Sequence, residues 1–259
     1  MSALPLAARR VLVTRATHQA SKLSDGLRAL GAEPVEVPVL EIRPPESYDA
    51  LDAALRQINS YDWAIFTSAN SVTAFHARAT QLGFPLSVPK TQIAAVGRAT
   101  AEAVENVVRL KVSLTPNEYV AESLVAALAP HIAGKRVLLA RAAIARDVIP
   151  DALRAAGVQV DVVDAYRNVL PESAPGQLRE ALAGRIDAAT FTSSSSVTHL
   201  AEAAQKAAVP FPLAGVAAIS IGPITSQTLR DFHWDPSAEA SPSDIPGLVA
   251  AVARALNEG

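Results

Sequence analysis

Short apolar runs alternate with amphipathic stretches along the whole chain. Residues 11–14 form a brief apolar run of the kind that fills a strand buried on both faces. Leu23, Leu27 and Leu30 then recur at spacings of four and three, one face of a helix that Gly31 stops. Residues 35–42 read as extended, and 63–66 and 93–96 as two further buried strands. Each of these last two runs into a small polar or glycine turn that opens a helix, Thr67-Ser68-Ala69-Asn70-Ser71 and Gly97-Arg98-Ala99-Thr100. A weaker strand near 112–114 and a helix near 121–128 come next. The second half predicts strands at 137–140, 158–163, 188–191 and 218–221, with helices between; Pro150 is accommodated in a first helical turn, where no intrahelical N–H bond is needed. About ten strands alternating with helices imply two parallel sheets covered on both faces; a single (β/α)₈ barrel would have eight.

The halves repeat. Arg10-Val11-Leu12-Val13-Thr14-Arg15-Ala16 returns as Arg136-Val137-Leu138-Leu139-Ala140-Arg141-Ala142, offset by 126 residues. Asp62 and Phe66-Thr67-Ser68 return as Asp187 and Phe191-Thr192-Ser193, offset by 125, and Ser71-Val72-Thr73 as Ser196-Val197-Thr198 in the same register. Gly97 and Thr100 fall on Gly222 and Thr225. One such match could come from Ala-rich helices; four in nearly constant register mark an internal duplication. The expected fold is therefore α/β, two similar doubly wound parallel-sheet domains.

Composition narrows the function. Half of the 259 residues are hydrophobic and 19% charged, enough for packed cores and for two domains of roughly 100–200 residues each. Aromatic residues are only 5%, so those cores are built from Ala, Val, Leu and Ile. A net charge of −2 speaks against a nucleic-acid partner held by phosphate neutralisation. Without a single cysteine there is no disulfide, thiolate zinc site, iron–sulfur cluster or cysteine nucleophile, which fits a reducing compartment. Met1-Ser2-Ala3-Leu4-Pro5 has no basic region ahead of an apolar run, so no export signal is expected. The longest uncharged stretch, 207–229, is broken by Pro210, Pro212, Gly215, Gly222 and Pro223, so no membrane span is expected either. These features predict a soluble cytoplasmic protein.

Familiar catalytic signatures are absent. There is no G-x-x-x-x-G-K-[ST], no G-x-G-x-x-G after a strand, no H-E-x-x-H and no G-x-S-x-G. His18, His76, His131, His199 and His233 are scattered without ligand spacing and read as helix or surface residues, so no metal is expected. What recurs is a hydroxyl-rich turn between strand and helix, Thr67-Ser68-Ala69-Asn70-Ser71 and Thr192-Ser193-Ser194-Ser195-Ser196. N-capping accounts for one hydroxyl per helix. Two such polar turns also suit an anion, because backbone N–H groups at helix starts and neighbouring hydroxyls bind carboxylates or phosphates.

In that order the motifs resemble one family, the uroporphyrinogen-III synthases. The resemblance rests on Val-Thr-Arg at 13–15, Phe-Thr-Ser-Ala-Asn-Ser-Val at 66–72, Ala-Val-Gly-Arg-Ala-Thr-Ala at 95–101, Ala-Tyr-Arg at 165–167, Phe-Thr-Ser-Ser-Ser-Ser-Val at 191–197 and Ile-Gly-Pro-Ile-Thr at 221–225. Each motif is weak alone; the ordered set covers nearly the whole chain. One departure is Ile224 directly after Gly-Pro, where the family often has Thr, which leaves the hydroxyl to Thr225.

The resemblance implies two α/β domains joined by a two-stranded linker that the chain crosses twice: 1–37 plus 170–259 as one domain, 44–163 as the other, and linker strands within 38–43 and 164–169. Read without it, contiguous domains split near Gly134 stay open as an alternative. It further implies cyclodehydration of hydroxymethylbilane to uroporphyrinogen III with inversion of ring D, without cofactor or metal. The substrate carries eight carboxylates. On this reading Ser68, Asn70 and Ser71, Gly97, Arg98 and Thr100, Ser193, Ser194 and Ser195, and Gly222 and Thr225 bind substrate, helped by Arg15 and Arg141 at equivalent strand ends. Each arginine also reads as a solvated surface charge. Tyr166, on a linker strand, is the candidate catalytic residue, its phenol assisting the departing hydroxyl; as a strand residue it equally reads as a half-buried aromatic. The implied protein is a monomer touching the upstream hydroxymethylbilane synthase at most transiently. A non-catalytic two-lobed binding or sensor protein for an anionic small molecule is the alternative.

Overall fold

The structure, a computed structural model, describes residues 4–86 and 90–257; Met1 to Ala3, part of the stretch where no export signal is expected, and the side chain of His18 lie outside the described residues. The chain divides into two units, Met1–Glu41 with Val169–Gly259, and Ile42–Asn168.

The first unit begins with strand β1 (Arg10–Val13), helix α1 (Thr17–Ala29) and β2 (Glu33–Glu36). The chain then builds the second unit: β3 (Glu41–Arg43), α2 (Asp49–Arg56), β4 (Trp63–Phe66), α3 (Ala69–Gln81), β5 (Gln92–Ala95), α4 (Arg98–Ala103), α5 (Ala121–Leu128), β6 (Arg136–Ala142), α6 (Val148–Ala155) and β7 (Gln159–Val169). It returns to finish the first with α7 (Ala174–Ala181), β8 (Ala188–Phe191), α8 (Ser194–Lys206), β9 (Ala217–Ser220), α9 (Pro223–Asp231), β10 (Pro236–Glu239) and α10 (Ile245–Asn257).

Strand order in the first unit is β10-β9-β8-β1-β2, with every neighbouring pair parallel. In the second it is β3-β7-β6-β4-β5, with β7, β6, β4 and β5 parallel. The duplication explains both orders. By the sequence repeat, β6 corresponds to β1, β7 to β2, β4 to β8 and β5 to β9, so the two sheets share the sequence 2-1-3-4 of a doubly wound fold. Each unit draws strands from both repeats. The halves therefore do not fold as contiguous domains split near Gly134: β1 pairs with β8, from the opposite half of the chain.

Strand alternation builds two apolar layers in each unit. In the first, Leu12 faces a cluster with Leu178, Val197, Leu200 and Phe191, while Val11 and Val13 face Leu23, Leu27, Leu248 and Val252. In the second, Ala64 and Phe66 face Leu51, Leu55, Val72 and Phe75, while Trp63 and Ile65 face Leu124, Leu128, Ile149 and Leu153. Helices thus cover both faces of each sheet, as runs with no polar member require. Gly31 and Gly157, equivalent in the repeat, end α1 and α6 at φ +92° and +75°, left-handed values that glycine adopts without strain.

Two expected strands differ. The weak strand near 112–114 reduces to a single bridge between Ala94 and Leu114, because Pro116 comes soon after and lacks the N–H that would extend pairing. The segment 164–169 is no separate linker strand but the end of β7, and on the other crossing only Glu41–Arg43 is strand, hydrogen-bonded beside β7 in the second unit's sheet.

The repeat also preserves a clamp at the start of the central strands. Asp187 Oδ2 accepts the Arg10 N–H at 2.9 Å, with Arg9 at 3.2 Å and Arg185 at 2.9 Å on Oδ1. Its counterpart Asp62 accepts the Arg136 N–H at 2.9 Å, with Lys135 at 3.2 Å. Burial works to raise the Asp187 carboxyl, but the Arg10 N–H and the guanidinium groups of Arg9 and Arg185 outweigh it and hold the group below the usual carboxylate range. A depressed folded-state pKa stabilises the fold above the unfolded value of about 3.9 and is lost as pH falls through the folded value. Asp187→Ala is expected to cost about 1–3 kcal/mol at neutral pH. In thermal unfolding followed across acid pH, the difference from wild type should shrink as pH drops; a constant difference would show that the charge is not the cause.

Candidate active site

Because neighbouring strands are parallel, each sheet gathers its strand ends along one edge, where open α/β sheets bind ligands. In the second unit that edge carries the turn after β4, the turn after β5, the end of β6 and the far part of β7. In the first it carries the segments after β1, β8 and β9.

The two hydroxyl-rich turns are twins. Ser68 caps α3, its Oγ accepting the Ser71 N–H at 3.1 Å while Ser71 Oγ accepts the Ser68 N–H at 3.2 Å. Ser193 caps α8 with Ser196 in the same reciprocal box, at 3.2 and 3.3 Å. Ser71 is fully buried and also donates to the Ser68 carbonyl at 2.7 Å, so the fold consumes this hydroxyl, which the sequence assigned to substrate. The cap leaves the N–H groups of Ser194 and Ser195 without an acceptor among the described residues, at the positive end of a 13-residue helix. Ser194 Oγ accepts from Thr228 Oγ1 at 2.8 Å, tying α8 to α9. Ser195 is half-buried. Ser195→Ala should raise KM about fivefold, since it removes one neutral hydrogen bond worth about 1 kcal/mol and keeps the backbone donors; a thousandfold loss of turnover would instead mark a nucleophile.

Gly97 and Gly222 cap α4 and α9 in extended conformation. A Cβ on Gly97 would stand 3.2 Å from Tyr119 Cβ, so the glycine lets the half-exposed Tyr119 lie against the turn. Thr100 and Thr225 occupy equivalent first turns and are 5% and 4% exposed, so their side chains face inward more than the sequence suggests. Arg98 is exposed, with Glu102 3.7 Å away.

Tyr166 departs most from expectation. Ala165 and Tyr166 are both buried, at 2% and 5% exposure. A bulge lies here: Arg141 pairs with Asp164 but Ala142 with Tyr166, leaving Ala165 as the extra residue, and such a residue re-aims the side chains beyond it. The ring packs with Ala142, Ala165, Ile42 and Ala74. Its oxygen lies 3.1 Å from Ser68 Oγ and within hydrogen-bonding reach of the Asn70 and Asn168 side chains. Burial pushes the phenol above its ordinary value, and the three hydrogen bonds work against that by favouring the phenolate. The phenol is therefore neutral at physiological pH, with polar groups in place to stabilise the anion formed if it gives up its proton. Asn168 was missed in the sequence; only its position two residues beyond Tyr166 could have signalled it.

Arg15 and Arg141 stand at equivalent strand ends, and in each the guanidinium Nε is buried without a hydrogen-bond partner among the described residues. The rest of each group differs. Arg141 donates to the Arg146 carbonyl at 3.2 Å and pairs with Asp147 at 2.8 Å. Arg15 has Gln19 Oε1 at 3.4 Å and, among the described residues, no carboxylate partner. Burial lowers its pKa, and because a guanidinium keeps its proton in proteins, a charged group is held half-buried and under-neutralised. The structure thus brings Ser68, Asn70 and Tyr166 into contact; Arg15, Ser193, Ser194 and Ser195 lie on separate strand ends of the other unit. Among the described residues no group of three His, Asp or Glu side chains is gathered as a metal site, and no helix is long and apolar enough to cross a membrane.

Known proteins share this architecture. The family model described as uroporphyrinogen-III synthase HemD matches residues 21–250. A uroporphyrinogen-III synthase from Synechococcus elongatus is 35% identical over 257 residues, covering 97% of both chains. The porphyrin biosynthesis protein HemD of Ruminiclostridium josui is 31% identical over 232 residues, 88% of this chain and 45% of that one. Among solved structures, a mutant uroporphyrinogen III synthase from Thermus thermophilus has a TM-score of 0.70 at 22% identity, covering 97% of this chain and 100% of the other, a likeness of fold. A family model spanning most of the sequence and a full-length relative at 35% identity lead to one conclusion: the chain belongs to the uroporphyrinogen-III synthase family, enzymes of tetrapyrrole biosynthesis.

Proposed function

We propose that this enzyme closes hydroxymethylbilane to uroporphyrinogen III with ring D inverted, using Tyr166 as the group that assists loss of the hydroxyl. The observation that carries the reading is the buried neutral phenol with Ser68, Asn70 and Asn168 at its oxygen. The C–O bond of the hydroxymethyl group breaks with the pyrrole nitrogen supplying the electron pair, and the oxygen takes the phenol proton and leaves as water. Attack by the substituted ring-D carbon gives a spiro intermediate. Its rearrangement and closure release a proton that can return to the phenolate, so the step balances without an added reductant or oxidant. Uncatalysed closure gives the uninverted isomer, so the larger task is conformational, holding the chain where the substituted carbon attacks.

Grip on the eight carboxylates falls to the helix starts, through the polar groups of Asn70, the hydroxyl of Ser193, the N–H groups and hydroxyls of Ser194 and Ser195 and the turns at Gly97–Thr100 and Gly222–Thr225, with Arg15, Arg98 and Arg141 adding charge. Neutral donors explain how a chain of net charge −2 can hold a polyanion. We further propose that the enzyme is a cytoplasmic monomer, in transient contact with the upstream synthase, with 38–43 and 164–169 linking the bodies formed by 1–37 plus 170–259 and by 44–163. The deciding experiment supplies hydroxymethylbilane to purified protein and resolves the product isomers. Uroporphyrinogen III supports the reading; unchanged spontaneous formation of the uninverted isomer, with tight binding of the linear tetrapyrrole, would make it a binding protein instead.

A further inference from the structure

The two capping boxes are alike except for what lies beside them. Ser193 caps α8 next to Ser196, and the strand position corresponding to Tyr166 falls in the stretch around Leu40, which offers no hydroxyl. At the helix position matching Ala74 of α3, α8 carries His199, whose Nδ1 lies 3.0 Å from the Val39 carbonyl. In the second unit the small Ala74 packs against the Tyr166 ring instead, and the cap of α3 acquires a second bond, Ser68 Oγ to Tyr166 Oη at 3.1 Å. One repeat therefore uses its capping serine for the helix alone, and the other uses it for the helix and for a phenol.

Counting hydrogens allows both directions of that bond, and they differ in what they leave to the phenol. Ser68 Oγ has one hydrogen and two lone pairs, and one lone pair already accepts the Ser71 N–H at 3.1 Å. If Tyr166 donated to Ser68, the phenol proton would be occupied and turned away from any ligand. If Ser68 donates, the phenol proton stays available and the phenolate left behind is hydrogen-bonded. We propose that Ser68 is a positioning residue for Tyr166, its O–H donating to the phenol oxygen while its lone pair caps α3, so that it acts on the reaction through the phenol rather than by holding a substrate carboxylate. This rests on the reading of Tyr166 as the proton donor. The N-terminal location reinforces it, because the positive end of α3 favours negative charge on the oxygen beside it.

The test is a double-mutant cycle on the full chain with hydroxymethylbilane as substrate, measuring kcat and KM separately. Ser68→Ala is expected to lower kcat roughly tenfold with KM unchanged, since a misdirected phenol loses turnover and not affinity. Ser68→Thr, which keeps both the cap and the donor, should restore kcat. In the Tyr166→Phe background Ser68→Ala should cost nothing further. If Ser68→Ala does not fold, Ser68→Asp replaces it, because an ionised carboxylate still caps the Ser71 N–H but has no hydrogen to give. An equal loss in both backgrounds, or a raised KM with unchanged kcat, overturns the positioning role while leaving Tyr166 as the acid. Normal turnover in Tyr166→Phe alone overturns the parent reading and this inference with it.

Discussion

Tyr166→Phe is expected to lower turnover by about a hundredfold or somewhat less, leave KM nearly unchanged and still give the inverted isomer. The change removes one oxygen from a ring packed among Ala142, Ala165, Ile42 and Ala74, so the apolar contacts and the bulge remain. What is lost is the proton offered to the departing hydroxyl. General acid assistance is typically worth ~10²–10⁴-fold, and this leaving group is already expelled by its own pyrrole nitrogen, which sets the expectation at the low end. Deleting the oxygen also frees Ser68, Asn70 and Asn168 from their common partner. Ser68 still caps α3 through Ser71, so the helix start should hold, and unfolding curves of mutant and wild type should nearly coincide. Steady-state kinetics with isomer analysis separates the possibilities. Normal turnover reduces Tyr166 to a core aromatic, whereas normal turnover with the uninverted product makes it a steering residue for ring D.

The fold was legible in the sequence because its determinants are local. Short, mostly apolar runs such as Trp63–Phe66 and Ala188–Phe191, each followed by a polar turn, read as doubly buried strands, and both occur where the pattern puts them. Strand pairing is not local. The repeat is a property of the contiguous halves, but β1 lies beside β8 and β6 beside β4, so sequence similarity identified the duplicated parts without saying which parts assemble together. The capping serines were legible for the same reason the strands were: Ser68 and Ser71 sit three apart at a strand–helix turn, the spacing a reciprocal cap requires. That spacing could not tell which hydroxyls the cap would consume, and Ser71 is one of them. Tyr166 drew attention through its family motif; its environment did not, because a bulge depends on the register of two strands distant in sequence.

The contrast between Arg15 and Arg141 gives the second large expectation. Both side chains end equivalent central strands and both bury an Nε without a partner among the described residues, but Arg141 is neutralised by Asp147 at 2.8 Å. Among the described residues, Arg15 has only the Gln19 amide oxygen at 3.4 Å. A cation kept half-buried beside a neutral group lowers the stability of the free protein, and such a site persists when it gains a partner on binding. Arg15→Met keeps the length of the side chain and removes the charge. KM for hydroxymethylbilane should rise roughly ten- to hundredfold, the worth of a charge-assisted hydrogen bond at about 1.5–3 kcal/mol. Stability of the unliganded protein should stay level or increase, and kcat should change little, because the residue binds ground state and transition state alike. Arg141→Met should weaken binding less, since a substrate carboxylate must compete there with Asp147. Thermal unfolding beside steady-state kinetics checks both halves of the expectation. If Arg15→Met lowered the melting temperature by several degrees without raising KM, its charge would belong to the fold, and the carboxylate grip of the first unit would have to come from the α8 and α9 helix starts.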